Sequence, residues 1–244
     1  MKNLMKWELK QTFSSKVFWG ILVAIIIFNS RFMIGTSTLE ECSGFELFLR
    51  GCNDLNSSLL LLISVFAGVH VTGAFEDRRI QSAVMAGNSR FSIIVAKLIS
   101  FSLAVGTICI STMLTSFTIA SFAEGTVILT DAFFSEIVMR ILSYTLAEIS
   151  WVSLCFLFSV LLKKLGAAIA VNTISMITLN LTAQLLMDKE WVLDLLKFTP
   201  LGQTFLLIGD VSTGNIILSV VVSVTGLAVV TALSYLKFRK EELK

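Results

Sequence analysis

The chain has one proline, one histidine and few charges: charged residues make up 15% of its 244 positions. A soluble domain carries about 25%. With His70 as the only histidine, a zinc-protease H-E-x-x-H pair is excluded. No Gly-Lys dipeptide occurs, so there is no P-loop and no ATP binding by that route. No G-x-S-x-G nucleophile elbow is present either. The one proline, Pro200, lies outside every hydrophobic run, and no convincing internal repeat is present. Secondary transporters often show both repeats and broken helices. The polar stretches reach only about twenty residues, which leaves no room for a second, soluble domain.

What is present is apolar length. The chain is 55% hydrophobic, with a mean hydropathy of +0.86. Six hydrophobic runs cover 17–34, 57–75, 98–122, 141–162, 165–187 and 215–236. A helix needs about 20 mostly apolar residues to cross the hydrocarbon, and no run alternates as a barrel strand would. The expected fold is an all-α membrane protein: one transmembrane domain over 1–244 with six transmembrane helices.

Six spans put both termini on one side. Fourteen of the 19 Lys and Arg residues then fall on the terminal side and five on the other. The positive-inside rule makes the terminal side cytoplasmic and the protein a multi-pass component of the plasma membrane. Acids such as Glu40, Asp131, Asp188 and Asp210 fall on the opposite side. The basic face suits anionic headgroups or a partner protein, and nothing suggests nucleic acid.

The first sixteen residues lack the apolar core and cleavage site of a signal peptide. Met1, Met5, Leu9 and Phe13 recur every fourth residue beside a stripe of Lys2, Lys6 and Lys10, with Leu4 and Trp7 off the apolar face. This predicts an interfacial helix over 1–16, although a charged stop-transfer tail would also account for it. Cys42 and Cys52 share the first outward loop, where they form either a disulfide or two unrelated thiols. Cys109 and Cys155 lie in spans and read as packing residues.

Glu148 is the acid deep in a span. Such a group costs about 2.5–3.5 kcal/mol on insertion scales, so it should face the bundle or a water-filled cavity. It reads either as a translocation-path or subunit-pairing residue or as a hydrogen-bonded structural one. His70 is favoured as an interhelical hydrogen-bonding residue over a proton relay or ligand. Asn172 and Ser175, with Leu179, share a face of the fifth span and are further path candidates or ordinary interhelical contacts.

The loop between spans two and three carries the second signal. Glu76, Asp77, Arg78 and Arg79 open it and suggest a short helix with acids at its positive end. Gly87-Asn88 is a natural stop, and Ser89 can cap the helix that enters span three beyond Arg90. A helix–break–helix of mixed charge suits docking of another protein, and an ordinary charged loop is the plainer reading.

These residues bring in a resemblance. The chain resembles permeases of the type 2 ABC transporter family, whose first cytoplasmic loop carries an acid followed by Gly-Thr-Ile and then Gly-x-Ser-Arg-x-x-Ile-x-x-Ala-Lys. Gly87, Ser89, Arg90, Ile93, Ala96 and Lys97 match the second part in register, and Glu76 matches the opening acid. The chain departs from the pattern where Ile80-Gln81 replaces Gly-Thr. Trp191, Leu195, Leu196 and Phe198, then Thr199-Pro200, resemble the family's helices that re-enter the outer leaflet between spans five and six. The resemblance implies two ABC ATPase subunits as partners and a second permease, identical or related. It places ATP and Mg in the ATPases, with no cofactor or metal in this chain. It also implies export of peptides, such as antimicrobial peptides, or of amphipathic compounds. Glu76, Asp77, Arg78, Arg79, Gly87, Ser89 and Arg90 would form the ATPase-coupling loop. The alternatives are a self-contained secondary transporter, an intramembrane enzyme using Glu148 and His70, or a membrane anchor or sensor.

Overall fold

The computed structural model describes residues 2–39, 60–123, 131–186, 189–207 and 212–239. Cys42 and Cys52 lie outside the described residues. Every element among those described is helical. In chain order they are α1 (Lys2–Phe13), α2 (Lys16–Leu39), α3 (Leu60–Glu76), α4 (Arg79–Met85), α5 (Arg90–Ala123), α6 (Asp131–Leu161), α7 (Leu165–Leu186), α8 (Glu190–Leu196), α9 (Pro200–Leu206) and α10 (Thr213–Arg239). Helices α2, α5, α6, α7 and α10 are long and apolar enough to cross a membrane, and α3 with α4 makes a sixth if the bent pair is one span.

Length explains the helices, and side-chain size explains how they pack. Helix α6 is central and touches α3, α5, α7, α9 and α10. Its long seam with α10 uses the buried Ser219, Ser223, Val230 and Ser234 and the half-buried Gly226. Small residues let two helices approach closely where lipid gives no hydrophobic drive between them. At Gly226 an added Cβ would come within 2.5 Å of Ser150 Oγ. Gly68 does the same for α3 and α7, where a Cβ would meet Ile169 Cγ1 at 2.5 Å. Outward faces stay apolar: Phe28, Ile174, Leu185 and Ile217 are all exposed. That is the pattern of helices solvated by hydrocarbon.

Polar contacts tie the bundle across sequence. Asn29 Nδ2 of α2 donates to Ser116 Oγ of α5 at 2.7 Å. Asn172 Nδ2 of α7 donates to Ser159 Oγ of α6 at 2.9 Å. Thr72 Oγ1 of α3 donates to the Ser159 carbonyl at 2.9 Å. Helices α8 and α9 form a tight helical pair between α7 and α10. Thr199 Oγ1 caps α9 by accepting from Gly202 N–H at 3.1 Å, and Pro200 takes the first helical position, where its missing N–H is harmless. Gly202 packs so closely that a Cβ would sit 1.9 Å from the Leu196 carbonyl oxygen.

Two helices start earlier than their apolar runs. Helix α5 begins at Arg90 and α6 at Asp131, because capping and intrahelical bonding extend a helix beyond its hydrophobic stretch. The N-terminal helix is turned from its expected face. Its most buried stripe is Leu4, Glu8 and Thr12, one residue off the Met5–Leu9–Phe13 line, and Lys6 and Lys10 stay exposed. The buried acid Glu8 decides this rotation.

Candidate docking surface and polar cluster

One end of the bundle gathers most of the residues singled out in the sequence. There the chain leaves α3, bends by 55° and enters α4. Arg78 makes the bend with a left-handed backbone at φ 56°, a conformation that disfavours a side chain. The two acids therefore do not open α4, as the sequence suggested. Glu76 closes α3, and its carboxylate accepts the Leu165 N–H at 2.7 Å. It thereby satisfies a free donor at the positive end of α7. Asp77 lies in the bend and pairs with Arg79 at 2.6 Å on the surface.

The stop after α4 follows the sequence closely. Gly87 adopts φ +85°. Its N–H bonds the Val84 carbonyl at 2.9 Å, and the Asn88 N–H bonds the Ala83 carbonyl at 3.3 Å. This is the double bond of a Schellman C-cap. Ser89 Oγ then accepts from the Ser92 N–H at 3.2 Å and caps α5.

Arg90 has a role that the loop pattern does not announce. Its Nη1 donates to the carbonyls of Phe238 at 3.0 Å and Arg239 at 2.9 Å, and the guanidinium lies 5.7 Å from the Phe238 ring centroid. A cation thus closes the negative end of α10. The described start of α1 and end of α10 both lie at the α4 end of the bundle.

Beneath this surface lies a buried polar cluster. Lys97 Nζ of α5 meets Glu8 Oε2 of α1 at 3.1 Å, with side chains only 2% and 3% exposed. Lys97 is one of the fourteen cations that six spans put on the terminal side, and the structure places it inside the bundle. Ser100 Oγ donates to the Lys97 carbonyl at 2.9 Å. That leaves the Ser100 oxygen to accept from His70 Nε2 at 3.1 Å. His70 stacks on Phe66 at 5.4 Å, and Phe66 on Phe101 at 5.8 Å. His70 is thus an interhelical link between α3 and α5, in the wide π-turn Gly68–Thr72. Glu8 escaped the sequence reading, since one acid among lysines looked like surface.

Between α1 and α4 runs a groove of about 510 Å³, lined by Asn3, Trp7, Arg79, Ser82, Ala86 and Asn88 among others. Trp7 is 46% exposed, and Met85 of α4 is 80% exposed. Arg78 is exposed nearby.

The path candidates separate. Glu148 is fully buried on α6, and neither carboxylate oxygen has a hydrogen-bond partner among the described residues. Helical spacing puts it on the face of Cys155 and Ser159, which turn toward Ser64 and Thr72 of α3. Asn172 is buried in the α3–α6–α7 junction, whereas Ser175 is half-buried on α7. Glu148 and His70 lie on opposite sides of the Ser64–Cys155 level, roughly 20 Å apart along the bundle at 1.5 Å per residue. They do not form one site. Arg140, one of the five cations that six spans put on the side opposite the termini, is also buried and donates to the Leu207 carbonyl at 2.8 Å. Among the described residues no cluster of three or more His, Cys, Asp or Glu could hold a metal ion.

No protein-family model and no curated protein matches this chain.

Proposed function

We propose that this chain is the permease subunit of an ATP-driven exporter of the ABC class, drawing energy from a separate ATPase. The carrying observation is the groove between α1 and α4. It lies at the end of the bundle where the described termini meet, against helices whose bases are anchored by Glu8–Lys97 and Arg90. A short helix bounded by a left-handed residue at each end, Arg78 and Gly87, is a rigid lever on a defined hinge. A partner helix seated on Trp7, Ser82 and Ala86 would push on α3 and α5 directly, and on α7 through Glu76. We assign this end to the cytoplasm from the charge bias, with α1 at the inner interface, six spans and the plasma membrane as the location. The cargo class that suits the reading is a peptide or other amphipathic compound.

A photo-crosslinking residue in place of Ala86 tests the assignment. The expected product is a crosslink to a P-loop ATPase, absent when the same group replaces the lipid-facing Leu185. An intact complex with no crosslink from position 86 would contradict it.

The intramembrane-enzyme alternative loses its basis, since Glu148 and His70 are far apart. A self-contained transporter using Glu148 alone keeps one supporting observation, the unpartnered carboxylate.

A further inference from the structure

The bundle treats its buried hydroxyls in two ways. Those of Ser64, Thr72, Ser100, Thr112 and Ser116 donate to backbone carbonyls. Five others have no hydrogen-bond partner among the described residues, and four of these five, Ser150, Ser219, Ser223 and Ser234, lie in the seam between α6 and α10. Each of the four is at most 2% exposed. A helical serine can bond the carbonyl one turn back, and these do not. Ser150 Oγ instead stands against α10, 2.5 Å from where a Cβ on Gly226 would be. A buried hydroxyl left unmet destabilises the arrangement that buries it. Four along one seam favour an arrangement that gives them water.

Helix α10 has the freedom to supply it. Its seam residues are serine, glycine and valine, so it sends no long side chain into α6. Beside the seam lies a cavity of about 450 Å³ among α6, α7, α9 and α10, walled on the α10 side by Val222, Thr225, Gly226 and Val229. That is unfilled space for α10 to turn into. The last turn of α10 is held, because Arg90 bonds the Phe238 and Arg239 carbonyls and the Phe75 ring packs edge-on against Phe238 at 5.9 Å. A helix fixed at that end swings most at the other, where Ser219 and Ser223 lie.

We propose that α6 and α10 part into a water-filled crevice, with α10 pivoting on its Arg90-held end and the serine row as the wetted wall. From Ser219 to Ser234 the row runs about 22 Å at 1.5 Å per residue, against about 30 Å of hydrocarbon. The crevice therefore opens a polar route through much of the membrane. This inference rests on the membrane character of the helices and not on the ATPase reading.

The test is the reaction of single cysteines with a charged, membrane-impermeant methanethiosulfonate in opened native membranes, with and without ATP. Cys155 is the reference, since it is as buried as the seam serines but faces Ser64 of α3 from another side of α6. Cys42, Cys52 and Cys109 are replaced by alanine throughout. With Cys155 also replaced, Ser219→Cys and Ser223→Cys should react roughly threefold to tenfold faster than the reference, the scale of one hydrogen bond gained. Ser234→Cys, near the pivot, should react more slowly than either. Seam cysteines no faster than Cys155 under both conditions would overturn the proposal, and so would Ser234→Cys reacting fastest. Should the variants fail to fold, the wild type decides. In water-edited solid-state NMR of the serine-labelled chain in vesicles, Ser219 and Ser223 must receive magnetisation from water sooner than Ser64 and Ser116, which are equally buried with bonded hydroxyls. Equal or later arrival at the seam would overturn the crevice.

Discussion

Lys97 reaches across from α5 to Glu8 of α1 at 3.1 Å, with both side chains enclosed in the bundle. The pair fixes the N-terminal helix to the span that follows α4, so α1 and α4 present one continuous surface. Removing one partner leaves a charge buried without its counterion, which costs about 3–5 kcal/mol. Glu8→Gln and Lys97→Met are each expected to lower thermal stability in detergent by that order. The double variant should recover much of the loss. Additive losses in the double variant would show that the two groups do not act as a pair.

Glu76 and Arg90 belong to helix termini, and their substitutions should read as stability effects. Glu76→Lys removes the acceptor at α7 and puts a cation against the positive helix end, for a loss of about 1–2 kcal/mol. Arg90→Gln frees the last carbonyls of α10. Both should lower the melting temperature of the isolated chain. By contrast, Ser82→Trp fills the α1–α4 groove and should leave stability unchanged while weakening partner recovery. Reversal of these two behaviours would place the docking surface on the charged residues instead.

The α8–α9 pair should be the least tolerant segment to added bulk. Gly202→Ala places a methyl 1.9 Å from the Leu196 oxygen, so the two helices must separate. Severe loss of folded protein is expected, against about 1 kcal/mol for Thr199→Ala, which removes a single cap. Comparison of monodisperse yield and melting temperature checks the order.

Glu148→Gln keeps the shape of a buried acid that has no hydrogen-bond partner among the described residues. The amide should be at least as stable as the wild type, since it cannot carry a charge into the interior. Loss of transport with intact folding would place the carboxylate on the path. Undiminished transport would leave it a packing residue.

Much of the fold is legible from sequence because apolar length is a local property. The runs at 98–122 and 215–236 lie within observed helices, and the run at 165–187 coincides with α7 over its described residues, Leu165–Leu186. Gly87 and Ser89 were legible for the same reason, since a helix stop and a helix cap act on neighbouring backbone. The pairs Glu8–Lys97, Glu76–Leu165, Arg90–Arg239 and Arg140–Leu207 were not. Their members lie 89, 89, 149 and 67 residues apart, and composition alone does not tell a charge that closes a distant helix from one in water. The loop pattern from Gly87 to Lys97 now has a physical account. It joins a left-handed stop, a cap, a cation for α10, two buried apolar contacts at Ile93 and Ala96, and the ammonium that holds α1.

The central claim is that this bundle works with a separate ATPase seated on α1 and α4. The most direct measurement is a mild-detergent purification of the tagged full chain from its native membrane, with mass spectrometry of what accompanies it. The account expects a stoichiometric ABC-class ATPase with its own P-loop, lost in Ser82→Trp while the chain stays folded. A chain that purifies alone, under conditions that hold other ABC complexes together, would contradict it.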